Sequence, residues 1–144
     1  MIEQDTIKLL RECDSGVHMG VESIRDVLDN VQDTALQKLL SDSLTDHESL
    51  GRQIEDLLHK YDDEGKTPPA IVKGMSWIKT NVRLALGEAD KTVADLMTDG
   101  CNMGVKSLSR YLNQYAAADE QTKDIAKKLI HIESDLSEDL RDYL

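Results

Sequence analysis

Apolar residues recur along this chain at steps of three and four, the spacing that gathers them on one face of an α-helix. The first run is Leu10, Cys13, Val17, Val21, Ile24, Leu28 and Val31, which predicts a helix over about 3–31. Asp33 suits an N-cap. After it, Leu36, Leu40, Ser43, His47, Leu50, Ile54, Leu57 and Tyr61 continue the period and predict a second helix over about 34–61. The charged stretch from Asp62 to Pro69 breaks the pattern, and Pro68-Pro69 cannot lie inside a helix. A third stripe runs from Met75, Ile78 and Val82 through Val93, Leu96 and Met103 to Leu108, Tyr111 and Tyr115. It predicts a helix over about 70–116, continuous or bent near Leu86-Gly87, where glycine weakens helix by roughly 1 kcal/mol. Ile125, Leu129, Ile132, Leu136, Leu140 and Tyr143 define a fourth helix over about 119–143.

Four amphipathic segments with one long connection in the middle predict a single all-α domain over 1–144, an antiparallel four-helix bundle. Composition agrees. The 144 residues are 40% hydrophobic and 31% charged, with 3% aromatics and no Phe, which disfavours β-sandwiches and barrels. The net charge of −11 disfavours nucleic acid and anionic membrane surfaces, both of which recruit Lys and Arg. No apolar run approaches the roughly 20 residues that span a bilayer. The N-terminus carries acids where a secretion signal carries bases, so a cytoplasmic location is expected. Charge is uneven: residues 1–61 hold 6 bases against 13 acids, whereas residues 70–116 hold 6 against 4. The third helix is therefore a basic neighbour for acidic partners.

Cys13-Asp14-Ser15-Gly16-Val17 is echoed 88 residues later by Cys101-Asn102-Met103-Gly104-Val105. Each copy belongs to a pair of glycines four apart, Gly16/Gly20 and Gly100/Gly104, which share a helix face and admit a close neighbour. Helices one and three are expected to touch through these glycines, with Cys13 and Cys101 buried nearby as reduced structural thiols.

Together with Trp77-Ile78-Lys79 and Ala94-Asp95-Leu96, these words resemble uncharacterised bacterial ferritin-like bundle proteins, the rubrerythrin-related domain of unknown function. The resemblance implies a ferritin-like fold in which the long connection crosses between two helical hairpins. Di-iron bundles of ferritin type place an inward Glu on two helices and Glu-x-x-His on the other two. This chain has no Glu-x-x-His; it offers Asp46-His47-Glu48 and His131-Ile132-Glu133. The inward faces of helices one and three are apolar, with Glu22 beside His18 and Arg25 on the outside.

His47 occupies a stripe position that calls for an apolar side chain. A buried imidazole needs hydrogen-bond partners, and two readings follow. It is a core histidine bonded to Ser43 or a Tyr hydroxyl, or it is a metal ligand or acid/base group working with Glu133. His47-Glu48-Ser49-Leu50-Gly51 also resembles histidine phosphotransfer domains, but Leu50 stands where those carry Lys, and Asp46 and Glu48 repel phosphate. His18, His59 and His131 lie among charges and are expected to be solvated. Trp77, Tyr111 and Tyr115 are expected to be core or interface anchors.

The resulting expectation is a bundle without a complete di-metal site or bound cofactor, non-catalytic, structural or interacting, and self-associating with a dimer favoured. The alternative is an iron- or manganese-dependent oxidoreductase or peroxidase with a site rebuilt from His47, Glu48, Glu133 and Glu22.

Overall fold

The computed structural model describes residues 2–66 and 89–144. They form four α-helices: α1 (Ile2–Leu28), α2 (Thr34–Lys60), α3 (Ala89–Gln114) and α4 (Glu120–Asp139), the last tightening into a 3₁₀ turn over Leu140–Tyr143. The predicted start of the third helix near 70, the bend near Gly87, the Pro68-Pro69 break and the setting of Trp77 lie outside the described residues.

Helix ends are fixed by carboxylates that satisfy backbone N–H groups left without helical partners. Asp33 caps α2 by accepting from the Leu36 N–H, and Asp119 caps α4 by accepting from the Thr122 N–H. Asp90, at the start of α3, accepts from both Gln32 N–H and Asp33 N–H. These bonds explain why α1 stops at Leu28 rather than at 31: Asn30 and Val31 close tight turns onto Val27 and Leu28, and the next two amides turn to Asp90. At the opposite end, Asp5 accepts from Ala117 N–H and the Thr6 hydroxyl from Asp119 N–H.

The same bonds set the helix directions. The start of α1 meets the junction of α3 and α4, and the start of α3 meets the junction of α1 and α2. α1 and α4 therefore run one way, and α2 and α3 the other. Each hairpin is antiparallel, and α2 finishes at the end of the bundle opposite to where α3 begins. Only a long connection can join two helices placed so. α1 and α4 each pack against all three other helices, whereas α2 and α3 occupy the far diagonal.

The core has two apolar layers. One holds Leu9, Leu10, Leu50, Ile54, Leu108 and Leu129; the other holds Ile24, Leu36, Leu40, Val93, Met97 and Leu136. Full burial of each such side chain contributes roughly 1.5–3 kcal/mol. Between the layers the interior turns polar.

Candidate functional site

The helical stripe of α2 carries Leu40, Ser43, His47, Leu50 and Ile54 inward, so His47 enters the core where its neighbours are aliphatic. It is fully buried. Its Nδ1–H donates to the Ser43 carbonyl at 2.8 Å, and its Nε2–H donates to Glu133 Oε1 on α4 at 3.1 Å. The Ser43 carbonyl only accepts, so Nδ1 carries a proton, and with an ionised Glu133 facing Nε2 the pair is imidazolium–carboxylate. Burial alone pulls the imidazole pKa down. The hydrogen bond and charge of Glu133, the Ser43 carbonyl and the charge of Asp46 outweigh it and hold the pKa above its ordinary value.

Glycines make room for this pair. A Cβ on Gly20 would stand 2.6 Å from His47 Cδ2, so α1 can pass the ring only without a side chain there. On α3, a Cβ on Gly104 would lie 3.5 Å from the Glu133 carboxyl carbon. Gly16 faces Leu129 of α4, and Gly100 faces open space. The expected contact of α1 with α3 through these glycines is therefore corrected. Equal spacing places small residues on one face but does not say which helix meets it, and here the glycines face α2, α4 or a gap.

The remaining candidates are dispersed. Glu22 and Glu48 sit on the surface, where Arg25 lies 3.8 Å from one and 3.6 Å from the other. They do not join His47 and Glu133, and among the described residues no group of three or more His, Cys, Asp or Glu is placed to hold one metal ion. Cys13 and Cys101 are buried free thiols. Burial, with the charges of Glu12 and Asp14, pushes Cys13 up to about 12. Burial, then the charge and hydrogen bond of Glu133, pushes Cys101 upward too. Both remain protonated and weakly nucleophilic at neutral pH. Tyr111 and Tyr115 stack with ring centres 6.1 Å apart.

Asp14 was not marked by the sequence pattern. It is 4% exposed on α1 and accepts from the Lys66 N–H at 2.8 Å, tying the chain beyond α2 to the bundle. His18, expected to be solvated, is half-buried with Nε2 3.4 Å from Asp14 Oδ1. Burial pushes the Asp14 pKa up against the opposing Lys66 hydrogen bond and His18 charge, while Glu55 and Asp63 add to the rise. The available signal was Gly65, whose φ of +83° marks a turn that closes over this carboxylate.

Between α1 and α3 a cleft of about 250 Å³ opens onto Glu133. Its walls include Met19, Met97, Gly100, Cys101, Met103 and Leu108.

No family model matches this chain, and no curated protein matches it. Among solved structures, the fold is similar to the crystal structure of a DUF305 fragment from Deinococcus radiodurans, at a TM-score of 0.77 and 14% identity, covering 96% of this chain and 93% of that one. The likeness establishes an all-helical four-helix bundle. Among the described residues no helix is long and apolar enough to cross a membrane.

Proposed function

We propose that this chain is a ferritin-like bacterial bundle of the cytoplasm that works as a non-catalytic interaction protein, self-associating as a dimer. The observation that carries the reading is the closed state of its buried pair. Every N–H of His47 is bonded to Ser43 or Glu133, and the two further carboxylates that a rebuilt metal site would need turn to Arg25 on the surface. A metal ligand must present a free ring nitrogen, whereas both nitrogens here are engaged, Nδ1 by the Ser43 carbonyl and Nε2 by Glu133. The helix order and the two buried thiols also suit this reading.

The test is elemental analysis of untagged protein purified without chelator, before and after anaerobic loading with Fe(II) or Mn(II). The expected result is far less than one metal per chain. A stable stoichiometry of about one or two, lost in H47A while the melting temperature holds, would overturn the reading in favour of the oxidoreductase. Self-association is checked by light scattering behind size exclusion, with a mass twice that of the chain expected.

A further inference from the structure

We infer that the α1–α3 cleft is a binding site for a small neutral ring compound carrying one hydrogen-bond donor, of phenol or indole type. Three observations meet there. The first is space: the cleft measures about 250 Å³. That exceeds the roughly 150 Å³ which accepts benzene and falls short of the roughly 300–1,000 Å³ that holds drug-sized ligands. A single or fused ring fits.

The second is the way the space is kept open. A Cβ on Gly100 would meet nothing within 4 Å, and Gly16, Gly20, Gly100 and Gly104 all line the cleft. Of the four it is Gly100 whose missing side chain leaves open space, since a Cβ on Gly16, Gly20 or Gly104 would meet Leu129, His47 or Glu133.

The third is the polar end. The Glu133 side chain is only 10% exposed and lines the cleft. Its oxygens lie 3.7 Å from the Cβ position of Gly104, so a ligand reaches the carboxylate across a residue with no side chain. Oε1 takes the His47 hydrogen bond and the Cys101 thiol also bonds this carboxylate, whose several lone pairs leave room for one further donor. His47 Nε2, 3.1 Å from Oε1, already partners this carboxylate, so a single neutral donor completes it. Among the described residues the lining holds two carboxylates, Glu12 and Glu133, and no Lys, Arg or His, which disfavours anions. Met97, Leu108 and the methionines at the mouth, Met19 and Met103, supply the apolar wall, and thioethers suit aromatic rings.

The inference rests on reading the bundle as a binding protein, and the two can fail separately. Metal loading is read on protein without ring compounds and ring binding on metal-free protein, so absent ring binding leaves the metal result as it stands and metal uptake sinks the first reading alone. The test is calorimetry of the full chain with indole, phenol, toluene and benzoate. Indole and phenol are expected to bind at least about tenfold more tightly than toluene, the advantage of a donor onto a carboxylate, with no binding of benzoate. G100L, which fills the gap from a position whose Cβ meets nothing within 4 Å, is expected to abolish binding while the fold holds and the melting temperature does not fall. Binding of benzoate equal to phenol, binding that survives in G100L, or no binding of either donor ring overturns the proposal. So does a G100L variant whose one change is loss of the dimer, since the cleft would then belong to a second copy of the chain.

Discussion

Two buried acids in this bundle have a histidine beside them, and they do different work. Asp14 meets His18 one turn along the same helix, at 3.4 Å and half open to water. Glu133 meets His47 across two helices, at 3.1 Å with the ring fully enclosed. Asp14 leans on a backbone amide, Lys66 N–H, and its histidine is an accessory. Glu133 has an imidazolium as its chief partner, and each ion leaves the other stranded if removed. Burial, more than the identity of the two residues, separates a loop fastening from a polar layer that joins two apolar halves of a core.

The largest expected effect breaks that layer. H47A or E133A leaves an uncompensated charge in the core, and a loss of about 3–5 kcal/mol is expected in urea denaturation. H18A, removing a half-exposed partner, is expected to cost less than about 1 kcal/mol. Equal losses in the two variants would erase the distinction.

Glycines sharpen it next. G20A drives a methyl into the His47 ring and is expected to cost about 1–3 kcal/mol. G65A meets Asp14 and must also hold a φ of +83°, with a similar loss. G100A, four residues from Gly104 on the same helix but facing open space, is expected to stabilise by up to about 1 kcal/mol through helix propensity. Thermal melts of the three separate close approach from mere small size.

The smallest effects are in pH. The folded pKa of His47 lies above its unfolded value of 6.5. Its contribution to stability is therefore fully present below pH 6.5 and is lost as pH rises through the folded value. Asp14 is also raised, from 3.8, so the stability linked to its protonation is present below that value and lost as pH climbs past its folded value. Urea midpoints across pH should flatten in the neutral-to-alkaline range for H47Q and in the acid range for D14N. D14N keeps an acceptor for the Lys66 N–H, and little change is expected at neutral pH.

The helices were legible because burial follows the stripe: Leu10, Val17 and Ile24, Leu36 through Leu57, and Leu129 with Leu136 all face inward. The Asp33 cap was legible from one residue type in one place. His47 declared itself by interrupting an apolar series, and Glu133 followed as the acid on the neighbouring helix face. What the pattern could not carry is orientation between helices. Spacing alone set Glu22 outside beside Arg25, but Glu48, next to the inward His47, was as available on paper as Glu133, and only the rotation of α2 turns it to Arg25. The glycine spacing gave a face but no partner. Asp14 was hidden because its partner, the amide of Lys66, belongs to the backbone and leaves no mark in side-chain chemistry.

The most direct measurement is an NMR pH titration of the His47 ring in the wild-type chain and in E133Q. A charged buried pair requires a midpoint above 6.5 in the wild type that falls clearly once the carboxylate is replaced. A wild-type midpoint at or below 6.5, or one that E133Q leaves in place, would contradict an imidazolium at the centre of this bundle.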